Sequence, residues 1–134
     1  MVLNDRFVGM PPNFKDEEKE LLELGITSWQ ALKSLKQAEI IKLVKTGRST
    51  ERNLIKIKGL AELVCELKIE PSQAALLLHS GIPTVSALAT STPEEIVKKA
   101  GRFERQLLRR HQTLIDLNAA NSLINRAKAL MSKN

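Results

Sequence analysis

Two stretches of the chain concentrate the side chains best suited to binding an anion. Residues 36–60 contain seven Lys or Arg against two Glu, and residues 96–113 contain six against one, so each stretch has a net charge of +5. Residues 61–95, between them, contain five Glu against one Lys, a net charge of −4. Because the charge is banded in this way, the sequence predicts two basic surfaces suited to a phosphate-bearing partner.

The two basic stretches also correspond residue by residue. Lys42 recurs as Lys98 at an offset of 56 positions, and Arg48 recurs as Arg102 after the offset has shrunk by two. We therefore predict one phosphate-binding surface in each half of the chain. The candidate nucleic-acid-binding residues are Lys42, Lys45, Arg48, Arg52, Lys56, Lys98, Lys99, Arg102, Arg105 and Arg109. The alternative interpretation, a solvated helix face with intrahelical ion pairs, is about as consistent with these spacings.

No arrangement typical of catalysis or metal binding accompanies these residues. The two histidines, His79 and His111, and the single cysteine, Cys65, lie far apart in the sequence and lack the spacing of metal ligands. We interpret Cys65 as a small buried hydrophobe, because no motif supplies a neighbouring base. The pairs Glu17-Glu18 and Glu94-Glu95 fall in the first turns of predicted helices, where acidic residues are ordinary. We expect no enzymatic activity, no cofactor, no metal and no small-molecule substrate.

The composition favours an all-α protein in a reducing compartment. Aromatic residues make up 3% of the chain, Tyr is absent, and Leu, Ala, Lys and Glu are abundant. A single cysteine cannot form an intramolecular disulfide. The residues from Met1 to Arg6 do not resemble a signal peptide, and no apolar stretch approaches the roughly 20 residues that a membrane span needs. The expected location is the cytoplasm, without membrane association.

A repeated octapeptide predicts how two helices end. Gly25-Ile26-Thr27-Ser28-Trp29-Gln30-Ala31-Leu32 recurs 56 positions later as Gly81-Ile82-Pro83-Thr84-Val85-Ser86-Ala87-Leu88. Each glycine follows an apolar, helix-forming approach and suits the left-handed position that ends a helix in a Schellman motif. Ser28 and Thr84 are then placed to cap the helices that follow. Trp29, whose counterpart is a valine, is expected in the core.

Periodicity and capping residues predict the remaining helices. The predicted spans are about 15–24, 29–35, 37–45, 50–67, 71–80 and 119–131. Ser49 or Thr50 is expected to cap the fourth of these, and Thr92-Pro93-Glu94-Glu95 has the form of a capping box that starts a further helix. Ile40, Ile41 and Val44 are expected to face inward.

Three glycines are assigned further roles. Gly47 and Gly101 are expected to be matching helix stops, with a new helix opening at Arg102. Gly59 is expected to kink the helix that contains it.

These boundaries divide the chain into four parts. They are an N-terminal arm over residues 1–14, a first helical repeat over 15–67, a second over 68–117 and a C-terminal capping helix over 118–134. The arm is expected to dock through Phe7 and Phe14. The final helix is expected to close the open end of the array.

The signature Leu-Leu…Gly-Ile-x-Thr/Ser-x-x-Ala-Leu, present twice, resembles that of tandem helix-hairpin-helix domains. Ile57-Lys58-Gly59 between the copies and Asn125-Arg126-Ala127-Lys128-Ala129-Leu130 at the end contribute to the resemblance. More narrowly, residues 12–131 resemble a widespread bacterial family of unknown function built from such domains. The resemblance implies tandem helix-hairpin-helix-like repeats closed by a C-terminal helix. In DNA-binding members of the wider class, backbone N–H groups of a glycine-containing hairpin hold a phosphate.

The hairpins of this chain depart from that pattern. The corresponding segments are Pro12-Asn13-Phe14 and Lys68-Ile69-Glu70, and neither contains a glycine. Two functions therefore remain open. The first is sequence-independent binding of DNA or structured RNA through the repeated basic surface. The second is a protein-protein adaptor in which the nucleic-acid-binding hairpins have been lost.

Overall fold

The computed structural model describes Met10, residues 14–104 and residues 115–132. Within these residues the chain is all-helical and contains no strand. The helices are α1 (Lys15–Glu23), α2 (Trp29–Lys33), α3 (Gln37–Thr46), α4 (Glu51–Leu67), α5 (Pro71–His79), α6 (Val85–Ala89), α7 (Pro93–Phe103) and α8 (Leu117–Ser132). The all-α prediction is confirmed, and the helix starts at residues 15, 29, 37 and 71 are as predicted.

The end of α1 is the Schellman motif that the sequence predicts. Gly25 has φ +86°, a conformation that is strained for any residue with a side chain. Its N–H donates to Leu22 O at 3.0 Å, and the N–H of Ile26 donates to Leu21 O at 3.0 Å. These are the two hydrogen bonds that define the motif, and they satisfy carbonyls that the helix end would otherwise leave unpaired.

The end of α5 repeats this geometry closely. Gly81 has φ +88°, and its N–H donates to Leu78 O at 3.2 Å. The N–H of Ile82 donates to Leu77 O at 2.9 Å. The equivalence of the two glycine-terminated helix ends, inferred from eight residues of sequence, is confirmed at the level of individual hydrogen bonds.

The predicted N-caps are confirmed as well. The N–H of Ala31 donates to Ser28 Oγ at 3.1 Å, and the N–H of Ala87 donates to Thr84 Oγ1 at 3.0 Å. Thr92 and Glu95 form the reciprocal capping box of α7, with both bonds at 3.2 Å. Of the two residues proposed to cap α4, Thr50 is the one whose hydroxyl accepts, from the N–H of Asn53 at 3.1 Å.

Helix α4 is central to the packing. It contacts α2 and α5 most extensively and also touches α3 and α8, whereas α6 and α7 pack chiefly on α8. Its apolar stripe is fully buried, and each large aliphatic side chain in it contributes about 1.5–3 kcal/mol by leaving water. The stripe comprises Leu54, Ile57, Leu60, Leu63 and Leu67. Phe14 and Trp29 are buried as predicted, whereas Phe7 lies outside the described residues.

The prediction that Gly101 stops a helix is wrong. Gly101 is buried inside α7, and Arg102 and Phe103 continue the same helix. The capping box and Pro93 give α7 a strong start, and a glycine within a helix costs only about 1 kcal/mol, so the packing of Ile96 and Ala100 carries the helix past it. The helix α4 continues through Gly59 to Leu67, as predicted, and the kink at Gly59 stays a prediction.

The burial predicted for α3 is only partly correct. Ile40 is buried together with Leu43, but Ile41 is 43% exposed and Val44 is 37% exposed. α3 makes few contacts with α4 and therefore buries only a narrow stripe, which leaves one side of its apolar surface open. No helix in the described part of the chain is both long enough and apolar enough to cross a membrane.

Candidate nucleic-acid interface

The predicted basic residues lie on three helices and one connection. Lys42 and Lys45 are exposed on α3, and Arg48 is exposed in the connection from α3 to α4. Further along, Arg52 is exposed and Lys56 half-buried on α4, while Lys98, Lys99 and Arg102 are exposed on α7. The last two predicted residues, Arg105 and Arg109, lie outside the described residues. All eight described candidates thus retain solvent access.

His79, at the end of α5, contacts both α4 and α7. Its ring stacks on Phe103 of α7 with ring centroids 6.0 Å apart and an interplanar angle of 23°. Burial lowers the pKa of His79, and the nearby charge of Lys56 on α4 lowers this pKa further. A cation of the first half and a ring of the second half therefore meet at this histidine. The sequence analysis did not anticipate this junction, because its partners are 23 and 24 residues from His79 along the chain.

The connection before α4 is held by a carboxylate from α1. Glu20 Oε2 accepts from the N–H of Arg48 at 2.6 Å, and Glu20 Oε1 accepts from the N–H of Ser49 at 2.9 Å and from the Ser49 hydroxyl. These bonds to Ser49 and Arg48 lower the pKa of Glu20, because they favour its charged form. Gly47 lies directly beside the carboxylate, and a side chain at that position would overlap it.

Glu17, one turn earlier on α1, extends the same contact. Its Oε2 accepts from the N–H of Thr50 at 3.0 Å and from Asn53 Nδ2 at 3.4 Å. The Glu17 side chain is almost completely buried. The sequence analysis attributed this residue to the helix dipole alone. The signal that it missed is spacing, since Glu17 lies on the apolar stripe between Phe14 and Leu21.

Together, Glu17 and Glu20 occupy a site that resembles a phosphate cradle. Three successive backbone N–H groups, from Arg48 to Thr50, point at the two carboxylates at the N-terminus of α4. Such runs of N–H groups, aided by the helix dipole, bind anions. Here the protein supplies the anion itself. The backbone before α4 is consequently engaged, and only the side chains of Arg48 and Arg52 remain to contact a ligand there.

The turn between α4 and α5 is partly held by internal hydrogen bonds. Lys68 adopts a left-handed conformation, with φ +56°, that glycine would adopt at lower cost. The N–H of Glu70 donates to Gln73 Oε1 at 3.4 Å, and Glu70 O accepts from the N–H groups of Gln73 and Ala74. Just before the turn, Arg126 Nη1 on α8 donates to Leu67 O at 2.9 Å.

Cys65 and the acidic residues form no further site in the described part of the chain. Burial raises the pKa of the Cys65 thiol, which disfavours the reactive thiolate. The neighbouring Lys33 pairs with Glu66 at 3.6 Å on the surface between α2 and α4. Among the described residues, no three His, Cys, Asp or Glu side chains are grouped so that they could hold a metal ion.

Comparison with known proteins supplies a family. No curated protein and no solved structure matches the chain. Residues 11–130 match the family described as "Domain of unknown function (DUF4332)". The match covers nearly the whole sequence and agrees with the span over which the chain resembles an uncharacterised bacterial family. The protein therefore belongs to this family of domains of unknown function.

Proposed function

We propose that the protein is a non-catalytic module that binds nucleic acid, DNA or structured RNA, without reading its base-paired sequence. Lys and Arg side chains of both halves would contact backbone phosphates, with the release of counterions. The lone cysteine suits a reducing compartment, and we place this activity in the cytoplasm.

The observation that carries the proposal is the junction at His79. Lys56 of α4 is close enough to lower the pKa of His79, and His79 stacks on Phe103 beside Arg102 of α7. The first half thus supplies a cation beside His79, and His79 stacks on α7, the helix that carries Lys98, Lys99 and Arg102. Such contact between basic helices of the two halves supports one shared surface for a polyanion.

We also propose that the two halves are tandem helix-hairpin-helix-like units. Support comes from the matched Schellman ends of α1 and α5 and the matched caps Ser28 and Thr84. The three-residue turn between α4 and α5, from 68 to 70, has the position of a hairpin. In this arrangement α8 packs on α6 in the second half as α4 packs on α2 in the first.

Binding in this proposal relies on side chains rather than on backbone cradles. The N–H groups before α4 are taken by Glu17 and Glu20, and the N–H of Glu70 is taken by Gln73. Contacts by Lys and Arg to phosphate position a protein on a duplex but carry no base information. We therefore expect affinity that falls steeply with salt and is similar for unrelated duplex sequences.

The test is fluorescence-anisotropy titration of a labelled duplex at low and moderate salt. Charge reversal at Arg48 or Arg102 (R48E, R102E) is expected to weaken binding at least tenfold, because each variant replaces a phosphate contact with a repulsion. Lys128→Glu, on the exposed side of α8, is the matched control and is expected to change affinity little. If the duplex does not bind at low salt, or all three variants bind as the wild type does, the proposal is wrong.

A protein-protein adaptor is the second candidate. The observation that favours it is the exposed apolar surface of Ile41 and Val44, which lie one turn apart on α3. An adaptor would capture one partner stoichiometrically, tolerate salt and lose that partner in I41S or V44S. Nucleic-acid binding would be insensitive to these two neutral changes, so the same pair of variants separates the two functions.

A further inference from the structure

A pocket of about 320 Å³ lies where α4 passes the connection between α5 and α6. Its apolar lining residues are Ile55, Leu78 and Pro83. Ile55 is 52% exposed, although it lies on α4, the helix that carries the buried stripe from Leu54 to Leu67. The pocket volume is at the lower end of the roughly 300–1,000 Å³ typical of ligand sites, so the pocket suits a single ring system rather than a folded peptide.

The lining of the pocket also includes charged side chains. Lys56 and Lys58 line it together with Glu62, and all three side chains are half-buried. In the described part of the chain, neither a hydrogen bond nor an ion pair engages the carboxylate of Glu62. A half-buried carboxylate offers several acceptor sites, and here these point to a ligand that carries N–H donors. The two lysines suit an anionic group next to those donors.

Gly59 keeps the pocket open. It lies among the lining residues, and a Cβ at this position would have Pro83 O as its nearest neighbour, at 3.9 Å. That distance is an ordinary contact, so Ala fits at position 59 without strain. A larger side chain would extend from the same atom into the pocket and fill it.

We propose that this pocket receives an unpaired nucleobase of a nucleic acid that is bound on the basic surface. The inference rests on the proposed function and adds a preference for an end or a loop over a continuous duplex. The base would lie against Ile55 and Pro83, its edge would donate to Glu62, and the adjacent phosphate would contact Lys56, which already belongs to the basic surface. Guanine fits best, because its N1–H and amino group present two neighbouring donors to one carboxylate.

The experiment compares a blunt duplex with the same duplex carrying one unpaired guanine, by anisotropy under identical salt. The measured quantity is the ratio of the two affinities. The unpaired guanine is expected to raise the affinity at least tenfold, the gain that even one hydrogen bond to a charged group would give. An unpaired thymine, which offers one donor, is expected to give a smaller gain. Inosine, which lacks the amino group and so also offers one donor, is expected to give a gain similar to that of thymine.

Three variants localise the effect. Glu62→Gln replaces one acceptor with a donor and is expected to remove most of the gain from guanine. Gly59→Leu is expected to remove it by filling the pocket, whereas Gly59→Ala, the matched control, is expected to keep it. Because the readout is a ratio within each variant, a general change in charge or stability cancels. Circular dichroism checks that each variant is folded.

The outcomes separate this inference from the proposed function. Blunt-duplex binding with no gain from guanine, or a gain that survives both E62Q and G59L, overturns the pocket proposal and leaves the basic surface intact. Absence of binding to every nucleic acid removes both. A short acidic, apolar peptide serves as a second probe. If the peptide binds and G59L abolishes that binding while guanine has no effect, the pocket belongs to a protein partner instead.

Discussion

The carboxylate of Glu20 lies in the space that a side chain at Gly47 would occupy. Gly47 ends α3 with φ −141°, so it does not need the left-handed region that only glycine enters freely. The absence of a side chain there serves close packing instead, because it lets α1 reach the N–H groups of Arg48 and Ser49.

This relationship predicts that Gly47→Ala acts through Glu20 and costs less than Glu20→Ala. Glu20→Ala removes the charge-assisted hydrogen bonds and is expected to lower the free energy of unfolding by about 2 kcal/mol. Gly47→Ala displaces only the flexible end of the Glu20 side chain and is expected to cost less. The double variant is expected to cost little more than Glu20→Ala alone. Urea unfolding of the four proteins measures this cycle. Costs that simply add would show that Gly47 does not act through Glu20.

The bonds to Glu20 also predict a loss of stability in acid. The pKa of this carboxyl is lowered in the folded protein from an ordinary value of 4.5. Its contribution is therefore fully present above about pH 4.5 and is lost as the pH falls through the lower, folded-state pKa. Glu20→Gln is expected to show a flatter stability profile below this pH, whereas Glu23→Gln, at an exposed site on the same helix, should follow the wild type. Urea midpoints across the pH range test this, and identical profiles for E20Q and wild type would contradict it.

Local sequence rules predicted the helix ends but not this contact. The conformations of Gly25 and Gly81 and the caps at Ser28 and Thr84 depend on neighbours within five residues, and all were predicted correctly. The hydrogen bond from the N–H of Arg48 to the Glu20 carboxylate joins residues 28 positions apart, and no local sequence pattern encodes a partner at that distance. Only the placement of acidic residues on the buried stripe of α1 could have indicated it.

Substitution by Ala is expected to lower the free energy of unfolding at Gly25 and Gly81 and to raise it at Gly59. Gly25→Ala and Gly81→Ala are each expected to destabilise by about 1–2 kcal/mol, because both positions have positive φ and no steric overlap adds to the strain. Gly59→Ala is expected to stabilise by about 0.5–1 kcal/mol, since Gly59 lies inside α4 with room for a methyl group. Thermal denaturation of the three variants checks the signs. A destabilised Gly59→Ala would mean that the helix needs a glycine there.

His79 predicts a second pH dependence, separate from that of Glu20. Its pKa is lowered from an ordinary value of 6.5 by burial and by Lys56. The stability linked to neutral His79 is therefore present above about pH 6.5 and declines as the pH falls through the folded-state pKa. His79→Gln is expected to flatten the stability profile below pH 6.5, measured by urea unfolding. An unchanged slope in that window would show that His79 is not responsible.

The candidate site was predictable in composition but not in arrangement. The two basic bands can be predicted from the sequence because the net charge of a stretch depends only on its residue types and not on the fold. The contacts of His79 with Lys56 and Phe103 depend on how α5 packs against α4 and α7, which periodicity does not specify. The exposed Ile41 and Val44 were missed for a related reason: an apolar residue of α3 is buried only where a neighbouring helix covers it.

The most direct test of the account is whether both halves contact one nucleic-acid ligand. Lys56→Gln removes one cation from the first half, Arg102→Gln removes one from the second half, and Lys128→Gln is the matched control on α8. The slope of log affinity against log salt for a duplex is expected to become shallower by about one with each of the first two variants, by about two in the double variant, and not at all in the control. An unchanged slope, or a slope that changes in only one of the two single variants, would contradict the account.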